Sequence, residues 1–431
     1  MTAAGGAAGS CRTTTHRVVE AVWRIESAKL VAALARVTGD VGLAEELAQD
    51  ALVAALERWP ETGVPDKPAA WLMATAKHRA VDVFRRSERL QRKTALLGRE
   101  LVEAEEPDWA GALVEALDEV VEDDLLRLVF TACHPVLSRE ARVALTLRLL
   151  GGLTTVEIAR AFLVPESTVA QRIVRAKRTL AAAHVPFELP TAADLPARLA
   201  SVLEVVYLVF NEGYAATAGR HWTRPELCSE ALRLGRVLAE LTPREPEVHG
   251  LVALMELQAS RIRARTGPDG APVLLLDQDR GRWDHVLVGR GLTALRRAEE
   301  TGAGLGPYGL QAAIAACHAR ACTAAETDWV RIAALYEALA ELAPSPVVEL
   351  NRAVAVSRAY GPAAGLAIVD ALTAVPALRD YHLLPAARGD LLLQLGRTAE
   401  ARAEFEQAAG LTRNERERTL LLDRAAGCAP G

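Results

Sequence analysis

Apolar residues between positions 153 and 180 recur at the spacing of two short α-helices. The first of these helices is predicted to end near Val164-Pro165, because a proline disfavours helical backbone in the residue before it. The apolar face predicted for this helix consists of Val156, Ile158, Ala159, Phe162 and Leu163. The pattern therefore predicts a helix, a tight turn and a second helix rather than one continuous helix.

The second predicted helix is amphipathic, with a basic outer face. Its apolar positions are Val169, Ile173, Ala176 and Leu180, which follow helical spacing. Its polar positions are Gln171, Arg172, Arg175, Lys177 and Arg178. Such a helix fits the major groove of DNA, where cations neutralise phosphates and the first turn reaches base edges. An ordinary helical hairpin with a solvated basic face is the alternative that this pattern leaves open.

Helical periodicity continues along most of the chain. The composition agrees, because alanine, leucine, arginine and glutamate dominate and aromatic residues make up only 4% of the 431 residues. We therefore predict an all-α protein of about two to four domains, in which two small helical domains precede a helical extension. The helical segments predicted outside the central pair span 16–35, 40–59, 69–89, 125–150 with a break at His134-Pro135, 199–212, 224–239, 245–265 and 329–342.

The net charge of −5 conceals three blocks of alternating sign. Residues 67–99 contain nine basic and two acidic residues, and residues 127–178 contain nine basic and three acidic ones. Between them, residues 100–124 contain eleven acidic residues and no basic one. Two basic blocks separated by an acidic connector indicate two modules that face nucleic acid. Surface charge without a partner is the plainer interpretation of the same pattern.

The first half of the chain resembles a known protein family. The helix AEELAQDALVAALERW at 44–59, the proline-rich loop at 60–68 and the segment PAAWLMATAKHRAVDVFRR at 68–86 resemble the promoter-melting domain of bacterial sigma factors of the sigma-70 class. The resemblance is nearest to the extracytoplasmic-function (ECF) branch, and the helix pair at 153–180 resembles that family's second DNA-binding domain. Covering residues 16–183, it implies binding to core RNA polymerase and promoter DNA.

Domain boundaries follow from the resemblance together with composition. Sigma region 2 is predicted at 16–95, an acidic linker at 96–124 and sigma region 4, the helix-turn-helix domain, at 125–184. By resemblance, the linker runs through the polymerase between the two DNA-binding domains, and a soluble spacer is the alternative. A proline-containing stretch at 184–196 separates these domains from a helical extension at 198–431.

The resemblance implies functional positions in region 2. Core-polymerase contacts would be Glu45, Glu46, Gln49 and Asp50, an acidic outer face that suits a basic partner. The loop at 61–67 would capture a flipped base of the minus-ten element, and cationic side chains with a tryptophan would support the opened strand. Packing in the core is the alternative for the tryptophan. The residues assigned to minus-ten DNA are Glu61, Lys67, Trp71, Lys77, His78, Arg79, Arg85 and Arg86.

The resemblance also implies that the second helix of the pair reads the minus-35 element. The family pattern is not matched at His78, where asparagine is frequent, or at Leu163 and Pro165, where a glycine and a serine or threonine cap are usual. The residues assigned to minus-35 DNA are Ser167, Thr168, Gln171, Arg172 and Arg175, with Lys177 and Arg178 on phosphates.

The extension is predicted to be helical, apart from a turn and a short hairpin at 266–284. Two of its segments align with Gly361 over Gly396, an offset of 396 − 361 = 35 residues, and resemble tetratricopeptide repeats. We place these repeats near 325–425. Such repeats stack their apolar faces and leave a concave surface for an unidentified protein or peptide.

The sequence predicts no enzyme activity, no metal site and no cofactor. The six cysteines are scattered without a Cys-x-x-Cys pair, and we find no phosphate loop and no nucleophile elbow. The motif NEGYAAT at 211–217 resembles a sigma-factor subgroup that carries a tetratricopeptide-like extension. Five polar residues of the extension are interpreted as structural rather than catalytic: Asn211, Glu212, His221, His249 and His318.

The sequence therefore predicts a cytoplasmic sigma factor whose extension regulates it. The expected partners are core RNA polymerase, promoter DNA and an unidentified protein or peptide on the repeats. No apolar run reaches membrane-spanning length, so no membrane partner is expected. A helix-turn-helix transcription activator or repressor with a repeat-type sensor domain is the leading alternative, and an interaction scaffold is the third.

Overall fold

The computed structural model describes residues 5–97, 123–162, 164–215, 223–268 and 271–428. These residues form 18 α-helices and no β-strand, which confirms the predicted all-α fold. Nearly all of the predicted acidic linker lies outside the described residues. The chain divides into two compact units, Met1–Val205 and Val206–Gly431.

The described residues of the first unit form seven complete helices and the first half of an eighth. Its helices are α1 (Gly5–Thr38), α2 (Val41–Thr62), α3 (Pro68–Leu97), α4 (Asp124–Ala132), α5 (Arg139–Leu149), α6 (Thr155–Phe162), α7 (Glu166–Ala182) and α8 (Leu195–Tyr214).

Helix α2 has well-defined ends that the sequence explains in part. Asp40 caps its start, because its carboxylate accepts hydrogen bonds from two first-turn amides at 2.6 and 3.2 Å. The helix continues through Pro60 to Thr62 and ends at Gly63, whose φ of +84° suits glycine. Glu61 therefore lies in the last helical turn, which corrects its predicted position in the loop.

Helices α6 and α7 flank the predicted break at Pro165. Val156 is 46% exposed, so its predicted inward position is wrong, and Ile158 and Ala159 alone form the buried side of α6. Leu163 lies outside the described residues. In α7 all four apolar positions are buried, as predicted: Val169, Ile173, Ala176 and Leu180.

The first half of α8 braces the helix-turn-helix domain. Arg198 donates a hydrogen bond to the carbonyl of Phe130 at 2.7 Å. The Ser201 hydroxyl donates to the carbonyl of Cys133 at 2.6 Å. Both carbonyls lie at the end of α4, where a helix leaves backbone acceptors without intrahelical partners. Helix α8 thus provides hydrogen-bond donors for backbone carbonyls of the helix-turn-helix domain.

The part of the second unit that the structure describes contains the rest of α8 and ten further α-helices. They are α9 (Pro225–Leu241), α10 (Pro246–Ala259), α11 (His285–Glu300), α12 (Pro307–Arg320), α13 (Trp329–Leu342), α14 (Pro346–Tyr360), α15 (Pro362–Leu372), α16 (Leu383–Gln394), α17 (Thr398–Leu411) and α18 (Glu415–Gly427).

Tight turns join successive helices in the last third of the chain. Gly361 between α14 and α15 has a φ of +102°, and Gly396 between α16 and α17 has a φ of +76°. The two aligned glycines therefore occupy equivalent turns. The turn and small hairpin predicted at 266–284 are reduced to one isolated antiparallel bridge, between Thr266 and Pro272, which short 3₁₀ turns follow. A proline has no amide hydrogen to extend a strand ladder.

The core of the last helices is built around one phenylalanine. Phe405 on α17 is fully buried. A Cβ atom at Gly389 on α16 would lie 2.9 Å from the Phe405 ring, so only glycine permits this approach. On the other side, the Arg424 guanidinium of α18 lies 4.3 Å from the ring centroid. Helices α16 to α18 therefore pack as one cluster.

Candidate nucleic-acid interface

Helix α7 places its polar side chains on the surface of the first unit. Opposite them, the four buried apolar residues anchor the helix against the domain core. The residues assigned to minus-35 DNA divide into exposed side chains (Ser167, Gln171, Arg175 and Arg178) and half-buried ones (Thr168, Arg172 and Lys177). The exposed groups combine hydroxyl, amide and guanidinium donors, which can bind base edges and phosphates.

The start of α7 has no capping side chain. Pro165 occupies the cap position with φ −58° and ψ 143°, and the amide of Thr168 donates to its carbonyl at 3.0 Å. The turn before it closes through a hydrogen bond from the Val164 amide to the Ala159 carbonyl at 3.1 Å. The turn thus forms without the family's serine or threonine cap. First-turn amides and the helix dipole favour an anion here.

The predicted outer-face position of Glu45 is wrong. The residue is 5% exposed, and its carboxylate pairs with Arg148 (Nε to Oε1, 2.6 Å) and with Lys177. Burial alone would raise the pKa of Glu45, but Lys177 and Arg148 outweigh it and lower that pKa below its ordinary value. We call these three residues the Glu45 cluster. It joins α2 to α5 and α7.

Lys177 is turned away from its predicted phosphate contact by the same cluster. Only 18% of its side chain is exposed, and its ammonium group contacts Glu45 on α2. The other residues assigned to core polymerase are more accessible, since Glu46 and Asp50 are exposed and Gln49 is half-buried. The structure therefore separates Glu45 from the rest of the predicted acidic face.

Helix α1 makes further contacts with the helix-turn-helix domain. Arg24 pairs with Glu157 on α6, and Arg36 pairs with Asp124 at the start of α4, each at 2.8 Å. Gly152, in the turn before α6, has a φ of +64°, and an added Cβ would lie 2.9 Å from a serine hydroxyl of α1. The two predicted sigma regions thus pack together within the first unit.

Helix α3 carries the second set of cations. Trp71 is half-buried and packs edge-on against Trp59, with ring centroids 5.4 Å apart and an interplanar angle of 70°. This position gives Trp71 a packing role and leaves part of the ring accessible. The other residues assigned to minus-ten DNA are half-buried at Lys77 and exposed at Glu61, Lys67, His78, Arg79, Arg85 and Arg86.

The polar residues of the extension that the sequence singled out have separate contacts and do not form one cluster. Glu212 pairs with Arg224, and His249 Nε2 lies 2.8 Å from a proline carbonyl before α10. His318 packs edge-on against a tryptophan of α13 with centroids 5.2 Å apart. His221 lies outside the described residues. Among the described helices, none is long and apolar enough to cross a bilayer.

The paired helices α6 and α7, with their cationic outer surface, place the first unit in the class of helix-turn-helix DNA-binding proteins. Comparison with sequence families refines this class. Residues 25–90 match sigma-70 region 2, and residues 127–180 match sigma-70 region 4. Residues 198–299 match a family of unknown function.

One relative matches nearly the whole chain. An uncharacterized protein of Rhizobium meliloti (strain 1021) is 47% identical over 390 residues, which cover 90% of this chain and 90% of that protein. The chain therefore belongs to the same protein family as this relative, and it contains matches to two regions of sigma-70 factors.

A more distant relative matches a smaller part of the chain. The protein named probable ECF RNA polymerase sigma factor SigI, of Mycobacterium tuberculosis, is 27% identical over 165 residues, which cover 38% of this chain and 55% of that protein. No solved structure matches the chain.

Proposed function

We propose that this chain is a sigma factor of the ECF branch, which binds core RNA polymerase and directs promoter-specific initiation of transcription. The observation that carries the proposal is the order of two sigma-70 regions, each with a basic helix on its surface. The partial similarity to the mycobacterial SigI protein supports the branch. The protein acts by binding and performs no covalent chemistry.

In region 2, the proposed polymerase contact is the exposed acidic side of α2, formed by Glu46, Gln49 and Asp50. The proposed minus-ten surface is α3 with the loop that precedes it. Its exposed arginines would neutralise phosphates of the opened strand, and the accessible part of Trp71 would stack on a base. This assignment agrees with an exposed cationic row on α3.

In region 4, the proposed minus-35 surface is the first half of α7. Ser167, Thr168, Gln171 and Arg172 lie in the first two turns of the helix, whose uncapped start would approach the phosphate backbone. Arg178, one turn later than Arg175, would contact phosphate. Lys177 joins this surface only when the Glu45 cluster opens, because its ammonium group is otherwise paired.

For the extension we propose a regulatory or protein-interaction role and a tetratricopeptide-like architecture. The equivalent glycine turns at Gly361 and Gly396 support the repeat assignment. A groove of about 1060 Å³ between α9, α10 and α11 supports an interaction surface. On its wall, Arg236 pairs with the buried Glu256 at 2.8 Å, and three further arginines line it: Arg244, Arg290 and Arg297.

The proposal is tested by run-off transcription with purified core RNA polymerase and the full chain, on fragments that include the upstream region of its own gene. We expect initiation at a defined start that depends on the added protein. A response only from holoenzyme that already contains another sigma factor would overturn the proposal and favour the activator alternative. In a parallel reaction, the Glu45→Gln variant, in which the Glu45 cluster cannot form, replaces the unmodified chain. Absence of initiation from every template with both proteins would also contradict the proposal.

Single arginine substitutions on α7 should separate phosphate contacts from base contacts. We expect Arg178→Ala to weaken binding of the holoenzyme to all promoter fragments and to reduce the slope of log K against log salt concentration by about one. Arg172→Ala should instead make the binding free energy for the preferred promoter sequence less favourable by about 1–3 kcal/mol and make the holoenzyme less selective among promoter sequences.

Arg296→Ala, at an exposed arginine of α11, is the matched control and should leave both the slope and the preference unchanged. Filter binding across a salt series measures all three variants. Equal behaviour of Arg178→Ala and the control would refute the phosphate assignment.

A further inference from the structure

Three arginines of the second unit gather around two aromatic rings. The Arg265 guanidinium lies 3.6 Å from the ring centroid of Tyr214, and that of Arg261 lies 5.8 Å from the same ring. Arg261 also lies 5.8 Å from the ring of Trp283, which Arg280 approaches to 5.0 Å. Each ring is therefore shared by two cations, with Arg261 in the middle. We call these five residues the arginine group.

Motifs that the proposed sigma function does not use meet in this group. Tyr214 belongs to the NEGYAAT motif at 211–217, and Arg280 and Trp283 belong to the stretch at 266–284. Their positions in the chain fall within the segment that matches a family of unknown function. No function is therefore assigned to the place where these motifs converge.

Arg280 is held by neutral groups. It donates to the carbonyls of His318 and Ala321, the latter at 2.7 Å, and to a threonine hydroxyl at 3.1 Å. Hydrogen bonds to neutral acceptors fix its guanidinium group in place but do not compensate its charge. Arg265 donates to the carbonyl of Tyr214, which places its guanidinium group beside the same ring.

The charge of Arg261 has no described counter-ion. Its half-buried side chain makes no hydrogen bond and no ion pair within the described part of the chain, and only the two ring contacts hold it. Burial lowers the pKa of Arg265 and of Arg280, and the charge of Arg261 lowers both pKa values further.

The acidic residue that does act on Arg280 is engaged elsewhere. Glu326 raises the pKa of Arg280 without forming an ion pair, and its Oε2 accepts from the amides of Cys322 at 3.1 Å and Thr323 at 3.3 Å. Converging cations of this kind repel one another, so the group carries an electrostatic cost that an added anion would remove.

Two buried polar atoms beside the group also have no partner. Trp283 is 5% exposed and His318 is 7% exposed, yet Trp283 Nε1 and His318 Nδ1 make no hydrogen bond to any residue that the structure describes. Burial, with Arg261 and Arg280, lowers the pKa of His318 to about 4, so the imidazole is neutral at pH 7. Buried polar groups are usually hydrogen-bonded, and two unpaired ones at one place indicate a missing partner.

We propose that the arginine group is a binding site for a small, multiply charged oxyanion, a molecule that carries phosphate or several carboxylates. Arg261 supplies the free donors, and a guanidinium fork suits two oxygens of either group. Arg280, which is held by neutral acceptors, supplies fixed positive charge. Trp283 Nε1–H supplies a neutral donor, and His318 supplies a second in the tautomer with its proton on Nδ1. The extension would thereby sense an anionic small molecule.

The test is isothermal titration of the full chain with inorganic phosphate, pyrophosphate and citrate, each against sodium chloride at equal ionic strength. We expect saturable binding of at least one of the three, and the preferred one distinguishes phosphate from carboxylate chemistry. Arg261→Gln should weaken that binding about tenfold or more, since it removes a charge-assisted contact. Arg296→Gln on α11 is the matched control and should bind as the unmodified chain does.

Thermal melting of the unliganded variants shows whether Arg261 binds an anion or only stabilises the fold. Because Arg261 has no described counter-ion, Arg261→Gln should melt at or above the temperature of the unmodified chain. Trp283→Phe keeps the ring, removes the donor and should weaken binding with little change in melting. No saturable binding of any probe, equal binding by Arg261→Gln, or a lower melting temperature for Arg261→Gln would each overturn the proposal.

Discussion

Replacing Glu45 with glutamine is expected to release sigma region 4 from region 2 within the first unit. Glutamine keeps the volume of the side chain but leaves the half-buried cations Arg148 and Lys177 without their carboxylate. Removing one partner of a buried ion pair costs about 3–5 kcal/mol, because the remaining charge loses its compensation. The freed Lys177 would then be available to promoter DNA, so binding should rise while stability falls.

Glu46→Gln is the matched control for this substitution. The two residues are adjacent on α2 and lose the same charge, but Glu46 is exposed. Hydrogen exchange of α2, α5 and α7 in the full chain, together with binding of a promoter fragment in the absence of polymerase, measures both effects. If Glu45→Gln and Glu46→Gln behave alike, the cluster does not hold the regions together.

The same contact should weaken in acid. The pKa of Glu45 is lowered in the folded protein, so its charge contributes stability above its ordinary pKa of 4.5. That contribution should decline as the pH falls below this value and Glu45 becomes protonated. Denaturant unfolding of the first unit is measured between pH 7 and pH 3. The free energy of unfolding should fall more steeply with decreasing pH for the unmodified chain than for Glu45→Gln.

Phe405→Ala is expected to produce the largest loss of stability in the second unit, about 3–5 kcal/mol. The ring is fully buried between Gly389 and Arg424, and glycine offers no side chain that could fill the cavity. Hydrogen exchange should show lost protection in α16, α17 and α18, while the helix-turn-helix domain keeps its protection.

Leu422→Ala on α18 is the control, because that leucine is 47% exposed and its truncation leaves no cavity. Its effect should remain within about 0.5 kcal/mol. Equal losses for both variants would mean that the last three helices do not share one core around Phe405.

Local periodicity predicted the parts of the structure that depend on neighbours in sequence. The buried side of α7 follows directly from residues spaced three and four apart, because a helix repeats every 3.6 residues. The cap at Asp40 and the break at Pro165 are likewise local backbone chemistry. The inward position predicted for Val156 is wrong because the eight-residue helix α6 buries only Ile158 and Ala159, a narrower face than the apolar spacing indicates.

The positions that depend on distant partners could not be predicted. Glu45 and Lys177 are 177 − 45 = 132 residues apart, and each carries a charge that is normal on a solvated surface. Only the packing of α2 against α7 reveals that they neutralise each other. The arginine group is similar, because Tyr214, Arg261 and Trp283 follow no common spacing and meet through tertiary structure alone.

Helix α8 has a practical consequence for dissecting the protein. A truncation at residue 180, where the match to sigma region 4 ends, would remove Arg198 and Ser201. The carbonyls of Phe130 and Cys133 would then lose their donors, and the shortened protein would be damaged before any regulatory input was tested. Chimeras that exchange extensions between relatives should join within α8 after residue 205, in helical register, rather than in the proline-containing stretch that precedes it.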